Sequence, residues 1–334
     1  MRLLVTGGMG FIGSNFVRYV LSRDPSIHVI NVDRLGVGSN PANLRDLEGD
    51  EKYRFVKGDV TDFGFMVRLV RDVDAVINFA AETHVDRSIA DPKPFIESNF
   101  MGVFTLLESI RKVNSKVRFL HVSTDEVYGD IVDGSFREND LLRPSSPYSA
   151  SKAAADMLIM AYRRTYGLNV IIARPTNNFG PYQFPEKLIP KTIVRAYLNL
   201  KIPIYGTGKN VRDWLYVLDN CEALYMLLNE GRSGEIYNIS AGNEFENIEV
   251  VRKILMIMGK DESLIEFVED RPGHDFRYGI DSSKIRNEIG WRPRHSFDEA
   301  LKETVKWYLE NEWWWRPLAT EKVLHPMPWR LKWT

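Results

Sequence analysis

Tyr148 and Lys152 lie four residues apart, so on a helix their side chains share one face. A tyrosine phenol has an ordinary pKa of about 10, which is too high for a general base at neutral pH. The ammonium of Lys152 and a second nearby cation would stabilise the phenolate; lowering its pKa by about three units corresponds to roughly 4 kcal/mol. Such a phenolate accepts the proton of an alcohol that is being oxidised. The same spacing is common on solvated helices, so the two residues alone leave both interpretations open.

Two adjacent acids, Asp125 and Glu126, follow Ser123 and Thr124 at the end of a predicted strand. Doubly wound sheets bind their ligands at the carboxyl ends of their strands. Two carboxyl groups in one site can divide the roles of acid and base between them. Helix-start capping is the alternative interpretation. If both acids are catalytic, the site holds more acid–base groups than an alcohol oxidation needs.

A glycine-rich stretch, Thr6–Gly13, follows the first predicted strand and opens a helix. Glycines there permit a tight turn and close approach of the backbone to a pyrophosphate, which the helix N-terminus also attracts. Asp33 ends the second strand 20 residues after Gly13, where a carboxylate can bond the adenosine ribose. That acid favours NAD over NADP, while the neighbouring Arg34 weakens the preference. A plain turn is the alternative; as a cofactor loop, the stretch would contribute Gly7, Gly10, Phe11, Ile12 and Gly13.

Two more strand ends carry candidates for the cofactor site. Asp59 and Val60 follow the third predicted strand, where a polar side chain can reach the adenine. Capping of the next helix by Asp59 is an equally weighted alternative. Ala80 and Ala81 follow the fourth strand, and their small side chains let a cofactor approach the sheet edge, although they also suit simple packing.

Short apolar strands alternate with helical patterns through the first half of the chain. This alternation predicts an α/β fold with a doubly wound, Rossmann-type parallel sheet. After Arg174 the prolines become frequent and the pattern turns irregular. We therefore predict a cofactor-binding domain over 1–173 that also receives 212–240, and a smaller mixed α/β substrate-binding region over 174–334, with interleaved segments.

The 334-residue chain has an ordinary composition, with 44% hydrophobic residues and a formal net charge of -1. That charge balance gives no electrostatic case for binding nucleic acid or a membrane surface. The single cysteine, Cys221, fits a reducing compartment, and no stretch approaches the length of a membrane span. These features predict a soluble, cytoplasmic protein.

Longer motifs connect these residues to a known family. They are Thr6–Gly13, the stretch 80–88, the triplet Thr124-Asp125-Glu126, and the stretches 177–188, 210–214, 270–275 and 311–317. With them the chain resembles the extended short-chain dehydrogenase/reductase family, and within it the dTDP-glucose 4,6-dehydratases, over nearly its entire length. The resemblance implies NAD as cofactor, dTDP-glucose as substrate and a homodimer paired through helices near 95–113 and 149–166.

The resemblance also implies a role for each catalytic residue. Tyr148, next to Lys152, takes the 4-hydroxyl proton as the C4 hydride passes to NAD⁺, and Thr124 bonds that hydroxyl. The resulting ketone acidifies the C5 proton, which Glu126 removes. Asp125, kept protonated, donates to the departing C6 hydroxyl, and the stored hydride then adds to C6. By the same resemblance Asn99 and Asn178 belong to the cofactor site.

A nucleoside diphosphate sugar carries about two negative charges, so cations should converge on it. Arg212 and Arg271 are the predicted clamps, although a surface salt bridge is the usual fate of an arginine. The remaining predicted substrate contacts are Thr83, His84, Thr124, Asn177, Lys187, Leu188, Pro203, Tyr205, Asn247 and His274. The histidines show no metal-ligand spacing, so we assign no metal.

Several alternatives stay open from the sequence. A nucleotide-sugar 4-epimerase needs the glycine loop, Tyr148 and Lys152 but no acid pair, and a nucleotide-glucuronate decarboxylase is disfavoured for the same reason. A non-catalytic NAD-binding module fits an intact set of catalytic residues poorly. Thymine and uracil differ by one methyl group, so the sequence does not decide whether the substrate is dTDP-glucose or UDP-glucose. Trp313–Trp315 is expected to pack a terminal helix, with at least one ring exposed, and the segment after Pro317 receives no role.

Overall fold

Seven parallel strands form the main sheet of the computed structural model, which describes residues 1–333. The twelve strands are, in chain order, β1 (Arg2–Thr6), β2 (His28–Asp33), β3 (Tyr53–Lys57), β4 (Ala75–Asn78), β5 (Arg118–Val122), β6 (Val170–Pro175), β7 (Asn177–Phe179), β8 (Ile202–Tyr205), β9 (Val211–Tyr216), β10 (Ile236–Ile239), β11 (Glu244–Glu246) and β12 (Ile265–Val268). The main sheet has the order β10-β6-β5-β4-β1-β2-β3, with every pair parallel. This is the doubly wound order predicted from the sequence, and the predicted fold class is confirmed.

The α-helices either cover the two faces of this sheet or belong to the second region of the chain. They are α1 (Phe11–Arg23), α2 (Phe63–Val70), α3 (Val85–Ala90), α4 (Lys93–Phe95), α5 (Gly102–Val113), α6 (Pro147–Tyr166), α7 (Leu188–Tyr197), α8 (Val217–Glu230), α9 (Asn247–Met258), α10 (Ser283–Glu288), α11 (Phe297–Glu310) and α12 (Glu312–Trp315). Alternation along β1 separates the two faces: Leu3 packs with α1 and α8, whereas Leu4 packs with α2, α5 and α6. Because both faces are buried, the strands read as continuous apolar runs.

The helix predicted over 95–113 contains an irregular turn. A π-helical segment, Ile96–Met101, joins α4 to α5, and it places Asn99 in the interior. Helix α6 begins at Pro147, two residues before the predicted start, because Ser146 caps it in a reciprocal box with Ser149 and Pro147 occupies its first turn. Gly167, at φ +70°, ends that helix in the left-handed conformation.

Two small sheets and several helices build the second region. The sheets have the orders β11-β9-β7 and β12-β8, and α7, α9 and α11 pack against them. Trp314 and Trp315 are buried in this core, while Trp313 stays 56% exposed. Trp314 and Trp315 therefore pack their short helix against the second region, as predicted.

Strand β10 lies at the edge of the main sheet and α8 packs on α1, although both come late in the chain. The division into 1–173 and 174–334 stays a proposal. We assign α8 and β10 to the first unit because they pack there, and β9 to the second because it pairs with β7 and β11. Cys221 is buried on α8. Within residues 1–333, no helix combines the length and apolarity needed to cross a membrane.

Candidate active site

The glycine loop lies at the point where the strand order reverses, between β1 and β4. Gly7 has φ +74°, and a Cβ there would meet the Ala80 nitrogen at 2.5 Å. A Cβ on Gly13 would meet the Gly7 oxygen at 2.4 Å, so both positions require glycine. Gly10 precedes α1 and no side chain caps that helix start. The first residues of α1 line a large cavity, and the free backbone N–H groups of this helix start can bind an anion there.

Asp33 is buried beside this cavity and already accepts three hydrogen bonds. Its carboxylate binds the Met9 nitrogen at 3.0 Å, the Leu35 nitrogen at 2.8 Å and the Ser39 hydroxyl at 2.9 Å. Burial raises the pKa of Asp33, against the effect of these donors. A carboxylate has about four acceptor positions, so capacity remains for a ligand hydroxyl.

Arg34 bridges two acids at the rim of the cavity. Its guanidinium binds the Glu82 carboxylate at 2.6 Å and reaches Asp59 at 3.4 Å. Asp59 accepts from the backbone and side chain of Thr61, both at 2.9 Å, whereas Asp62 caps α2. The helix-cap alternative for Asp59 is therefore wrong, because the cap position falls three residues later.

Fourteen of the fifteen residues predicted for the cofactor line this one cavity: Gly7, Gly10, Phe11, Ile12, Gly13, Asp33, Arg34, Asp59, Val60, Ala80, Ala81, Tyr148, Lys152 and Asn178. Asn99 lies behind the wall instead. Its side chain accepts from the Glu82 backbone nitrogen at 2.8 Å and donates to Ser151 at 2.9 Å. Asn99 therefore supports the wall in this structure, and its direct contact with the cofactor stays a prediction.

Tyr148 and Lys152 lie on the first turns of α6 and face the same cavity. The Lys152 ammonium donates to the Val122 carbonyl at 2.7 Å and lies 3.3 Å from the His121 Nε2. Burial lowers the pKa of Lys152 to about 8, while Asp156 opposes the change. Burial also keeps His121 neutral, with its pKa well below the ordinary value. An ammonium only donates, so the Nε2 of His121 is the acceptor in this contact.

The lowered pKa predicted for the Tyr148 phenol depends on a second cation besides Lys152. Burial raises its pKa, the nearby Glu126 adds to the rise, and a hydrogen bond with Thr124 opposes it. Lys152 is bonded to Val122 rather than directly to the phenol. Stabilisation of the phenolate therefore requires positive charge beyond that of the protein side chains.

The two adjacent acids, Asp125 and Glu126, have different surroundings, and these act differently on the pKa of each. Burial and the charge of Glu126 raise the pKa of Asp125 to about 8, despite a 3.1 Å hydrogen bond from Thr124. Its Oδ2 is buried and has no hydrogen-bond partner within the described chain. Burial also raises the pKa of Glu126, but Arg271 and Lys187 oppose the rise. A pKa of about 8 keeps the Asp125 carboxyl protonated near neutral pH.

A second cavity adjoins the first and shares Glu126, Asn177 and Lys187 with it. Arg212 is buried there, donates to the backbone carbonyls of Val211, Asp275 and Phe276, and lies 4.2 Å from the Tyr278 ring centre. Within residues 1–333 it makes no salt bridge with a carboxylate. A buried guanidinium with only neutral partners favours an anionic ligand.

Arg271 has a carboxylate partner that the sequence analysis did not single out. Its guanidinium binds Asp86 at 2.9 Å, and the Tyr205 hydroxyl donates to the same carboxylate at 2.9 Å. The Nε of Arg271 is buried and has no partner among the described residues. His274 lies on the same wall, bonded to Asp270 at 2.6 Å, and burial lowers its pKa to about 4.

The second cavity collects ten of the twelve predicted substrate residues: His84, Asn177, Lys187, Leu188, Pro203, Tyr205, Arg212, Asn247, Arg271 and His274. Thr83 and Thr124 line the first cavity instead. Thr83 is exposed, and its carbonyl accepts from Lys187 at 2.8 Å. The structure thus places Thr83 at the cofactor side of the junction. Within residues 1–333 no cluster suited to a metal ion is found.

Similarity to known proteins identifies the family. A family model described as GDP-mannose 4,6 dehydratase matches residues 4–304. A dTDP-glucose 4,6-dehydratase of Actinoplanes sp. is 48% identical over 94% of this chain and 100% of its own. The chain belongs to the dTDP-glucose 4,6-dehydratase family. The low-salt glycan biosynthesis protein Agl12 of Haloferax volcanii is 50% identical over 93% of this chain and 100% of its own.

Solved structures of the dehydratase family share the fold. A dTDP-glucose 4,6-dehydratase from Streptomyces venezuelae, crystallised with NAD bound, has a TM-score of 0.93 and 49% identity, and covers 95% of this chain and 100% of its own. A UDP-glucuronic acid 4-epimerase from Bacillus cereus also reaches a TM-score of 0.87, at 27% identity, and covers 93% of this chain and 99% of its own. Fold alone therefore does not separate dehydratases from epimerases.

A buried ion cluster ties the two cavities of this dehydratase-family site together. Arg87 binds Glu82 at 2.7 Å and Glu186 at 3.1 Å, and Glu82 also pairs with Arg34. The cluster joins the end of β4 to the segment before α7. The sequence analysis quoted both stretches as motifs without assigning these charges. Three charged residues of the cluster, Glu82, Arg87 and Glu186, lie in those two motifs and were the available signal.

Proposed function

We propose that the protein is an NAD-dependent dTDP-glucose 4,6-dehydratase, a carbon–oxygen lyase that converts dTDP-glucose to dTDP-4-keto-6-deoxyglucose and water. The observation that carries this proposal is the divided acid pair. Asp125, protonated near neutral pH, and Glu126 lie between a dinucleotide cavity that contains Tyr148 and a cavity lined by Arg212 and Arg271. An alcohol oxidation or an epimerisation needs no such pair.

The first cavity fits NAD on the observations of this chain. The Gly7 position leaves no room for a Cβ, so the backbone there can approach a pyrophosphate, and the start of α1 offers free N–H groups. Asp33 offers its remaining acceptor capacity to the ribose. When bound, NAD⁺ supplies reversible uptake of the C4 hydride and a positive nicotinamide ring.

Tyr148 and Thr124 handle the proton at C4 in this proposal. The phenol has a raised pKa because of burial, so it needs added positive charge to act as a base, as the oxidised nicotinamide would provide. Lys152, which lines the same cavity, contacts the Val122 carbonyl and the His121 ring. Thr124 lines the same cavity and, in this proposal, its hydroxyl binds the 4-hydroxyl of the sugar.

Glu126 and Asp125 perform the elimination. Once C4 is a ketone, loss of the C5 proton gives an enolate, and Glu126 is the base that removes this proton. Asp125 retains its proton up to about pH 8, and its Oδ2 has no partner, so it donates that proton to the C6 hydroxyl as water leaves. Glu126 then returns a proton to C5.

The test is incubation of the protein with dTDP-glucose and, separately, UDP-glucose, with products identified by NMR. The expected result is a 4-keto-6-deoxy product from dTDP-glucose. Glu126→Gln together with Asp125→Asn should leave binding intact and abolish dehydration, while Asp133→Asn, an exposed acid, is the matched control. Formation of a C4 epimer without dehydration would contradict the proposal.

We extend the proposal to a homodimer. On α6, Ala150, Ala154, Met157 and Ala161 follow helical spacing on the outer side, and Met157 is 65% exposed. The neighbouring α5 and its π-helical entry expose Met101 and Phe104. A second copy of the chain would cover these adjacent apolar faces, as paired helices do in a four-helix contact.

We also propose a cytoplasmic location. The single cysteine is a buried free thiol, which is compatible with a reducing compartment. Fractionation of the source cells, followed by immunodetection in the cytosolic and membrane fractions, tests this. Recovery mainly with membranes would contradict it.

A further inference from the structure

The last fifteen described residues, 319–333, form a tail that contacts elements lining the second cavity. Val323, Leu324 and Trp329 of this tail are buried. The turn at Pro328–Arg330 packs against α3, which follows the cavity residue His84. The tail itself does not line either cavity. Its contacts are with the elements that carry the proposed substrate residues.

Two bonds fasten the tail to α7. The Lys191 ammonium donates to the His325 carbonyl at 3.1 Å, and Arg195 donates to the Leu324 carbonyl at 2.5 Å. Burial lowers the pKa of Lys191 to about 8, with Asp86 opposing this change. A buried cation that donates to a tail carbonyl depends on the tail for that partner, because an unsatisfied buried donor is costly.

Aromatic contacts extend the connection to the substrate side chains. The Trp329 ring lies edge-on to the Tyr205 ring, with centres 4.8 Å apart. The Tyr205 hydroxyl donates to Asp86, and Asp86 binds Arg271. A path of direct contacts therefore runs from Trp329 to the guanidinium that faces the second cavity.

A further ion pair acts on the same loop. Arg330 pairs with Glu269, two residues before Arg271. Trp333 lies 5.6 Å from the Arg87 guanidinium, which belongs to the ion cluster joining the two cavities. The tail thus contacts β8, α3, α7 and the 269–274 loop, which supply substrate-cavity residues from four separate parts of the chain.

We propose that the tail is a positioning element for the nucleoside diphosphate, with Trp329 holding Tyr205 so that Asp86 orients Arg271. This inference rests on the proposed function for the identity of the ligand. Trp329 touches neither cavity, so it acts through Tyr205 rather than as a catalytic residue. Loss of Trp329 would loosen Arg271 and leave the dinucleotide cavity and the acid pair in place.

The experiment compares Trp329→Ala with Trp313→Ala, a change at an exposed tryptophan outside the tail, in the NAD-loaded protein. Calorimetric affinity for dTDP, KM, kcat and NAD content are measured for each. For Trp329→Ala we expect about tenfold weaker dTDP binding and a similar rise in KM, from loss of an aromatic contact. The kcat value, within about twofold, and the NAD content should stay unchanged, and Trp329→Phe should restore most of the affinity.

Tyr205→Phe serves if Trp329→Ala does not fold, because it removes only one hydroxyl. Tyr205→Phe should reproduce the weaker dTDP binding. The double variant Tyr205→Phe with Trp329→Phe should bind dTDP about as well as Tyr205→Phe alone. Unchanged dTDP affinity in both Trp329→Ala and Tyr205→Phe would overturn the inference, as would losses of affinity that follow NAD loss. The dTDP-binding measurement does not depend on catalysis. If the parent protein binds dTDP but makes no dehydrated product, the proposed function is refuted. The dTDP affinities of the variants then still test the role of the tail.

Discussion

Replacing Asp125 by asparagine should make the protein more stable at alkaline pH while it abolishes dehydration. The carboxyl is buried, and its pKa is about 8 in the folded chain, against 3.8 as the ordinary value. The folded protein therefore keeps this proton over a pH range in which the unfolded chain has lost it. In that range stability falls as pH rises, because the folded state binds more protons than the unfolded state.

The magnitude follows from the pKa difference. A gap of about four pKa units corresponds to about 5 kcal/mol against folding at pH 8, at about 1.4 kcal/mol for each unit. An asparagine at position 125 cannot ionise, but its buried amide needs an acceptor, which costs about 1–3 kcal/mol. We therefore expect Asp125→Asn to raise the free energy of unfolding by about 2 kcal/mol or more at pH 8, and the gain should disappear near pH 4.

Urea unfolding of the NAD-saturated parent and of Asp125→Asn, at pH values from 5 to 8.5, measures this difference. Asp133→Asn, at an exposed acid, is the control and should leave the pH dependence unchanged. The rate of dehydration by the parent should also fall above about pH 8, where Asp125 loses its proton. If Asp125→Asn is no more stable at pH 8 than at pH 5 relative to the parent, the assignment of a protonated Asp125 is wrong.

Three further predictions concern the cofactor, the base and the dimer. Tyr148→Phe should cut turnover by about 10²–10⁴-fold without loss of bound NAD, measured as product formation, and near-parental activity would reject Tyr148 as the base. The purified protein should release NAD(H) on denaturation, as detected by mass spectrometry, whereas a preference for NADP(H) would count against the role of Asp33. Met157→Lys should halve the mass measured by light scattering, while Met256→Lys, at an exposed methionine on α9, should not; a Met157→Lys dimer would refute the proposed interface.

The fold and much of the site could be predicted because their signals are local. Short apolar runs bounded by glycines and helical patterns indicate a parallel sheet without knowledge of its partners. The glycine loop, the acids after β5 and the Tyr148–Lys152 spacing each lie within a few residues of chain. The sheet then brings these separate segments to one edge, because the carboxyl ends of parallel strands meet there.

The supporting polar groups depend on contacts between distant segments. Thr6, Asn78 and His121 form a row across β1, β4 and β5, with Thr6 donating to Asn78 at 2.5 Å and the Asn78 amide 3.0 Å from the His121 ring. These residues become neighbours only through the strand register. The sequence analysis gave His121 no role, because the histidines show no metal-ligand spacing. The structure places its ring next to Lys152.

Burial explains the other differences from the sequence analysis. The lowered pKa expected for Tyr148 took account of a neighbouring lysine and a second cation but not of burial or of the charge of Glu126, and these two raise the pKa. The tail after Pro317 carried no recognisable pattern, and its contacts appear only when Trp329 meets Tyr205, more than a hundred residues earlier in the chain. Such effects follow from tertiary packing, which periodicity does not report.

Transfer of label within the sugar tests the central claim most directly. The protein is incubated with dTDP-glucose that carries deuterium at C4, and the product is analysed by NMR and mass spectrometry. We predict a dTDP-4-keto-6-deoxyglucose with that deuterium at C6, and, in separate reactions in deuterated water, solvent deuterium at C5. A product that retains the label at C4, or a 6-deoxy product whose C6 carries none of it, would contradict the account.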